Sequence, residues 1–289
     1  SAADLKSLPV LTRADVQQHG ADLMSQGFPA ASLRATKTSG STGTPLLFYG
    51  TDEDQLNRGF ARGVRALEWT GLHLGDRILS LGRPRLYSSR QEHVLRILSM
   101  RFRRRLLLPV DSLTDEALPG IIRRLSKLHL DGIGGYPNGV ALLASYIRDA
   151  GATPPRTRAV VTGGAELLPH ERNLIREVFG IEPCSNYSSY EVFAIACECQ
   201  SHNGLHIAAE DLVLEVVDDR GHPLPAGVQG RVVVTNLHNY GMPFIRYDLG
   251  DEGTMLDGVC PCGRNLPRLG SLVGRKSRFF LTRSGRRVF

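Results

Sequence analysis

The chain has 289 residues, 42% of them hydrophobic and 22% charged, the make-up of a soluble globular protein of one large or two medium domains. Its formal charge of +6 is moderate, and the basic runs at 96–105 and 264–287 lack the aromatic interleaving or helix-turn-helix pattern of a nucleic-acid binder; a solvated face, or a surface that draws nucleotide phosphates, fits them better. No apolar run reaches transmembrane length, the Ser-Ala-Ala start is not a signal-peptide pattern, and five cysteines, four of them in two tight pairs, argue against a disulfide framework and for a reducing, cytoplasmic setting with a candidate metal site.

In chain order, residues 8–28 read as a connecting segment with one short helix, Thr12 being its N-cap. Such an abrupt start is expected of a chain from which a larger N-terminal region is missing. Next, Ser39, Gly40, Ser41, Thr42, Gly43 and Thr44 form a glycine- and hydroxyl-rich loop closed by Pro45, and 46–49 read as a strand. Glycines let backbone N–H groups approach a polyanion and the hydroxyls add donors, which is the chemistry of a phosphate cradle. It is not a Walker A loop, which ends in Gly-Lys-Ser/Thr and opens into a helix, because here Lys37 precedes the loop and a strand follows it. Taken alone, the loop also fits a plain flexible turn. Residues 52–67 then read as a helix with Asp52, Glu53 and Asp54 in its first turn.

From Asp76 the pattern alternates. Strands are predicted at 77–81, 105–110, 129–134 and 158–162, and helices at 91–100, 114–128 (opened by Thr114), 138–150 and 169–179. That alternation means an α/β fold, with parallel sheets flanked by helices. Ligands in such sheets sit beyond the carboxyl ends of the strands. Two loops there carry a glycine pair after an apolar strand: Gly134-Gly135-Tyr136-Pro137-Asn138 and Thr162-Gly163-Gly164-Ala165-Glu166. After Cys184 the rhythm changes to short strands at 211–217, 231–235, 251–256 and 278–282, an antiparallel, barrel-like subdomain. The reading therefore divides the chain into an α/β part, 1–183, and a smaller β-rich part, 184–289, ending in a hairpin that turns at Ser284-Gly285.

Two further stretches are ambiguous by themselves. In Asn186-Tyr187-Ser188-Ser189-Tyr190-Glu191 the carboxylate fits a helix cap, and Asp248 and Asp251 flank Gly250 as a solvated β-turn would. Their order along the chain adds specificity. The glycine-rich loop, then Gly163-Gly164-Ala165-Glu166, then Tyr187 to Glu191, then Arg246 to Asp251, then Gly274-Arg275 resembles the motif order of adenylate-forming enzymes. It looks most like their phenylacetate–CoA ligase branch, which includes coenzyme F390 synthetase-like proteins. The resemblance runs from about Leu8 to the last residue.

The resemblance implies an acid–thiol ligase reaction: a carboxylate and ATP give an acyl-adenylate and pyrophosphate, and a thiol, usually that of coenzyme A, then takes the acyl group. It implies that Ser39 to Thr44 hold the phosphates, with Thr42 and Glu191 carrying the chemistry and Glu191 helping to hold Mg²⁺. Gly163, Gly164, Ala165 and Glu166 would line the adenine, with Tyr187 packed on it and Ser188 beside it. Asp251 would accept both ribose hydroxyls, and Arg275 would stand near the ribose at the hinge. These roles suit the groups, since Mg²⁺ prefers carboxylate and phosphate oxygens and a diol suits one carboxylate. Tyr136, Pro137 and Asn138 are the candidates for the acyl pocket, for an aryl or other apolar acid; Tyr136 fits a packing role equally well. The chain departs from the family at Ser188 (Gly in the family), at Tyr190 (a phosphate-contacting Thr) and at Lys276, Ser277 and Arg278, where the hinge Asp is absent. The small C-terminal domain with its adenylation lysine would lie beyond Phe289, so a core of low activity by itself is expected.

Cys197, Cys199, His202 and His206 fall close together, with Cys260 and Cys262 downstream. Tetrahedral Zn²⁺ takes four such ligands, commonly in two pairs, although Cys-x-Cys is tighter than the usual spacing and buried free thiols are the plain alternative. The resemblance supports a closed, structural zinc here. The expected set is Cys199, His206, Cys260 and Cys262, with Cys197 or His202 as substitutes and Cys184 as an unrelated core thiol. Two rival readings stay open: an adenylate passed to an amine, giving an amide ligase, and a catalytically silent nucleotide- or partner-binding core. No nucleic-acid or membrane partner is expected, and a homodimer is left open.

Overall fold

The structure, a computed structural model, describes residues 2–38, 45–82, 104–273, 280–281 and 287–288. Ser39 to Thr44, the helix expected at 91–100, Arg275, and Lys276 to Arg278 lie outside the described residues. The first described elements are α1 (Ala2–Leu5), α2 (Arg13–His19), β1 (Arg34–Lys37), β2 (Leu47–Gly50) and a π-helical turn (Glu53–Arg58) that runs into α3 (Gly59–Trp69). Next come β3 (Ile78–Gly82), β4 (Arg105–Pro109), α4 (Leu118–Leu125), β5 (Gly132–Gly135), α5 (Pro137–Asp149), β6 (Ala159–Gly163), α6 (Pro169–Phe179) and β7 (Cys184–Tyr187). The remaining strands are β8 (Ala196–Glu198), β9 (Leu205–Ile207), β10 (Leu212–Val217), β11 (Gly230–Asn236), β12 (Tyr247–Leu256) and β13 (Arg268–Val273), followed by the paired β14 (Phe280–Leu281) and β15 (Arg287–Val288).

Contacts group the chain into two compact units. An α/β unit comprises Val64–Tyr187 and Cys197–His202; a β-rich unit comprises Ser1–Gly63, Ser188–Ala196 and Asn203–Phe289. The change of strand rhythm draws a line at Cys184, whereas the contacts group residues 1–63 with the later strands.

In the α/β unit, β4, β3, β5, β6 and β7 run parallel in that order. The strands are apolar along their length because helices cover both faces of such a sheet. Neighbouring residues show this directly: Leu79 and Val160 lie in the core with Leu118, Ile122, Leu143, Ile147 and Ile175, while Ile78 and Ala159 pack with Leu72. The predicted strands and helices at 77–81, 158–162, 138–150 and 169–179 correspond to β3, β6, α5 and α6 within a residue or so. The helix expected at 114–128 is shorter. It begins at Leu118, because Pro119 lacks an N–H and fits only the first turn of a helix. Thr114 instead closes a preceding turn, its Oγ1 accepting from the Ala117 amide at 3.3 Å.

In the β-rich unit, β10, β11, β12, β13 and β9 pair antiparallel in that order, and β1 pairs antiparallel with β2. Thr12 caps α2 as expected: its Oγ1 accepts from the Asp15 amide at 3.2 Å, and its own amide donates to Asp15 Oδ2 at 2.8 Å. Buried Phe48 of β2 meets Phe244 edge-on at 5.8 Å, and Phe244 lies 4.7 Å from the Tyr247 ring. Acids around Gly250 read as a free β-turn in the sequence, yet they belong to strand β12, which begins at Tyr247. Gly250, at φ 75°, takes the left-handed kink, its amide donating to Asp248 Oδ1 at 2.8 Å, and the pairing with β11 shifts register nearby.

Candidate active site and metal centre

At the carboxyl edge of the parallel strands, pairing aligns Gly135 with Leu81 and Thr162, and Gly163 with Asn186. The predicted loops therefore leave the α/β unit's sheet side by side. The Gly163-Gly164 pair has a steric reason. A Cβ on Gly163 would stand 2.9 Å from the Asn186 carbonyl oxygen, and one on Gly164, at φ 81°, would stand 2.6 Å from Tyr136 Cε1. Tyr136 thus lies against the glycine backbone and is 36% exposed. Pro137 is buried as the first residue of α5, whereas Asn138, Ala165 and Glu166 are exposed. Tyr187 ends β7 and is buried.

The β-rich unit holds the neck of the glycine-rich loop. Lys37 pairs with Leu47, the Thr38 amide donates to the Leu46 carbonyl at 2.9 Å, and the Leu46 amide donates to Thr38 Oγ1 at 3.0 Å. Leu46 and Phe48 are buried, which anchors the exit strand. Glu191 is buried as well, 6% exposed, and Tyr247 donates its hydroxyl to Glu191 Oε1 at 3.4 Å. Arg13 Nη1 lies 3.7 Å from the same oxygen, while its Nη2 donates to Thr38 Oγ1 at 3.2 Å. Ser188 accepts from the Ala194 amide at 3.1 Å, and Ser189 accepts from the Val192 amide at 2.9 Å, so both hydroxyls brace the Glu191 loop. Tyr190 is 47% exposed.

The two acids around Gly250 differ in setting. Asp248 accepts from Arg231 Nη1 at 2.9 Å, a structural pair, and Asp251 is half-buried on β12. Sequence reading passed over Arg13, Tyr247 and Arg246. Arg246, at φ 50° and 2% exposed, donates Nε and Nη2 to Glu215 at 3.1 and 3.3 Å, and donates to the carbonyls of Leu8 at 2.7 Å and Gly221 at 2.5 Å. The available signal was an arginine flanked by apolar residues at a strand start, where burial demands a partner.

His206, Cys260 and Cys262 come together in the β-rich unit with their ligand atoms within 4.8 Å of one another. Cys262 Sγ is 3.3 Å from His206 Nε2. Zn–S and Zn–N bonds of about 2.3 and 2.0 Å give a tetrahedral edge of about 3.5 Å, so an imidazole and two thiols at this spacing fit zinc. Arg268, opposite His206 on the neighbouring strand, donates to the carbonyls of Asn203, Asp257 and Gly258 at 2.8, 2.8 and 3.0 Å, bracing both ligand-bearing segments. Burial, with Arg264 and Arg268 nearby, holds the His206 imidazole below its usual range, in the neutral form that ligates metals. In the α/β unit, Cys199 is fully buried; Cys197 Sγ points to the Glu198 carbonyl at 3.4 Å, and His202 Nδ1 lies 3.7 Å from Glu198. Burial pushes the Cys184 thiol up to about 12, as befits an inert core thiol. None of the five cysteines forms a disulfide.

No protein-family model matches the chain. Over 153 residues, 51% of the chain and 34% of the relative, it is 31% identical to phenylacetate-coenzyme A ligase of Thermus thermophilus. Over 136 residues, 40% of the chain and 30% of the relative, it is 28% identical to phenylacetate-coenzyme A ligase of Aromatoleum evansii. The chain thus spans about a third of the length of the curated relatives it matches. An open conformation of 2-hydroxyisobutyryl-CoA ligase, in complex with 2-HIB-AMP and CoA, superposes with a TM-score of 0.74 at 21% identity, covering 97% of this chain and 67% of that one. ATP-bound MatB from Rhodopseudomonas palustris follows at 0.57 and 16%, covering 88% and 50%. The chain has the fold of the large N-terminal domain of adenylate-forming enzymes and is a sequence relative of their phenylacetate–CoA ligase branch.

Proposed function

We propose that this chain is the nucleotide- and acyl-binding core of an AMP-forming acid–thiol ligase. The enzyme joins a small carboxylic acid, aryl or otherwise apolar, to AMP and passes the acyl group to coenzyme A. The observation that carries this reading is the sequence relation to phenylacetate-coenzyme A ligases, reinforced by the fold shared with CoA ligases.

In this reading Ser39, Gly40, Ser41, Thr42, Gly43 and Thr44 hold the β- and γ-phosphates through amides and hydroxyls, with Thr42 taking part in the chemistry. The antiparallel pairing of β1 and β2 supports it by bringing the two ends of this loop together. Glu191 would hold Mg²⁺, which when bound neutralises phosphate charge, because carboxylate oxygens are the donors that ion prefers. Gly163, Gly164, Ala165 and Glu166 line the adenine together with Tyr187 and Ser188, Asp251 accepts the ribose hydroxyls, and Arg275 stands near the hinge. Tyr136, Pro137 and Asn138 bound the acyl pocket, and the partial exposure of Tyr136 supports an apolar acid there. In the metal centre Cys199 joins His206, Cys260 and Cys262, being buried and tethered only seven residues before His206. Such a site is closed and structural, stapling the β-rich part at 184–289. No helix among the described residues is long and apolar enough to cross a membrane, and five cysteines without a disulfide support a cytoplasmic setting.

Calorimetric titration tests the reading, first with Mg²⁺–ATP and then with a sulfamoyl analogue of phenylacetyl-adenylate. Binding is expected with both, tighter for the analogue, and Asp251→Ala should lose affinity with little change in the urea midpoint. A well-folded sample that binds neither would overturn it. Transfer of the acyl group from a bound adenylate to an amine and not to coenzyme A would replace the thiol step.

A further inference from the structure

We infer that Arg13 is a positioning residue that ties the neck of the glycine-rich loop to Glu191, an inference that rests on the proposed adenylate-forming reading. Its guanidinium is a two-pronged bridge. One nitrogen donates to Thr38 Oγ1 at 3.2 Å and the other lies 3.7 Å from Glu191 Oε1. Thr38 itself closes the loop neck with Leu46, and Glu191 is held from a second direction by the Tyr247 hydroxyl. Thr38 and Glu191 are far apart in sequence, and the Arg13 side chain contacts both.

Three features argue against an incidental surface pair. Glu191's side chain is 4% exposed and Arg13's 24%, so the contact is substantially desolvated, unlike exposed pairs that contribute little. Arg13 is also the first residue of α2, where a positive charge opposes the helix dipole, so helix stability gives no reason for an arginine there. Its backbone is firmly mounted. The Leu11 amide donates to the Arg246 carbonyl at 3.0 Å, the Asp248 amide donates back to Leu11 at 2.9 Å, and the capping box of Thr12 and Asp15 sets the helix start. A planar guanidinium holds two charged nitrogens at a fixed separation toward two partners, whereas a lysine ammonium is a single point charge.

The test compares wild type, Arg13→Gln and Arg13→Lys by hydrogen exchange and by calorimetry with Mg²⁺–ATP and with AMP. In Arg13→Gln the amides of Thr38, Leu46, Ser189 and Val192, all hydrogen-bonded at the two tied segments, should exchange about tenfold faster, the equivalent of about 1.4 kcal/mol. Mg²⁺–ATP affinity should fall by a similar factor while AMP affinity, which does not use the loop or Glu191, holds. Arg13→Lys should recover protection at one segment and not at both. Equal losses for ATP and AMP, unchanged exchange in Arg13→Gln, or complete rescue by lysine would overturn the inference. Should wild type bind neither nucleotide, the ligase reading falls and the exchange measurement alone decides: faster exchange at both segments upholds the tie, and exchange like wild type ends it.

Discussion

Arg246→Met puts a number on the buried anchor of β12. The guanidinium is 2% exposed and faces both carboxylate oxygens of Glu215, whose side chain is 13% exposed, as well as the carbonyls of Leu8 and Gly221. Methionine keeps most of the apolar stem, and the left-handed backbone at φ 50° is common to both proteins, so strain cancels. What is lost is the charge opposite Glu215 and the donors to two carbonyls. Removing one partner of a buried pair costs about 3–5 kcal/mol, because the other charge stays behind unpaired. Set against a total stability of about 5–15 kcal/mol, that is a large share. With m of about 3 kcal/mol/M, the urea midpoint followed by circular dichroism should fall by about 1 M or more. Glu215→Gln, which keeps an acceptor, should cost less, and the double variant should cost less than the sum of the singles. A loss below about 1 kcal/mol for Arg246→Met would refute the reasoning, since it would mean the pair is screened as exposed pairs are.

Gly164→Ala should weaken binding of the acyl-adenylate analogue, because its Cβ would meet Tyr136 Cε1 at 2.6 Å; Gly151→Ala, also at positive φ but with nothing within 4 Å, isolates the backbone cost of about 1–2 kcal/mol, and equal effects of the two on binding would refute the contact. Purified protein never exposed to chelator should contain about one zinc per chain by mass spectrometry, lost in Cys262→Ser, and zinc-free protein would end the metal assignment. Burial first of all raises the pKa of Asp54 from its ordinary 3.8, so the folded state binds more protons and Asp54 subtracts stability as pH rises from there through its raised value. Urea melts should therefore show wild type losing ground to Asp54→Asn as pH increases across that window, and a constant difference would contradict the shift.

Much of the fold was legible because it rests on local physics. An apolar run with β-branched residues makes a strand, the spacing of apolar residues in α5 and α6 makes a helix, and Thr12 caps the helix that follows it. The glycine pair at 163–164 and the donor types of His206, Cys260 and Cys262 were legible for the same reason, since each residue carries its chemistry with it. Reading failed where a local signal had two outcomes. Thr114 looked like a helix start but closes a turn, because Pro119 dictates where α4 can begin. Gly250 looked like a turn but bends a strand, because Tyr247 and Asp248 are already paired with β11.

By itself the sequence determined the alternating α/β pattern, the glycine-rich loops and the types of ligand available at each candidate site. Only the tertiary structure decided that residues 1–63 group with the late strands, that Asp248 is a structural partner of Arg231, and that Arg246 is buried against Glu215. It alone brings Arg13 to both Thr38 and Glu191. The physical reason is range. Periodicity and capping are set by neighbours a few residues away, whereas a buried charge is tolerated only where distant segments supply its partners, and no local pattern encodes which distant segments those are.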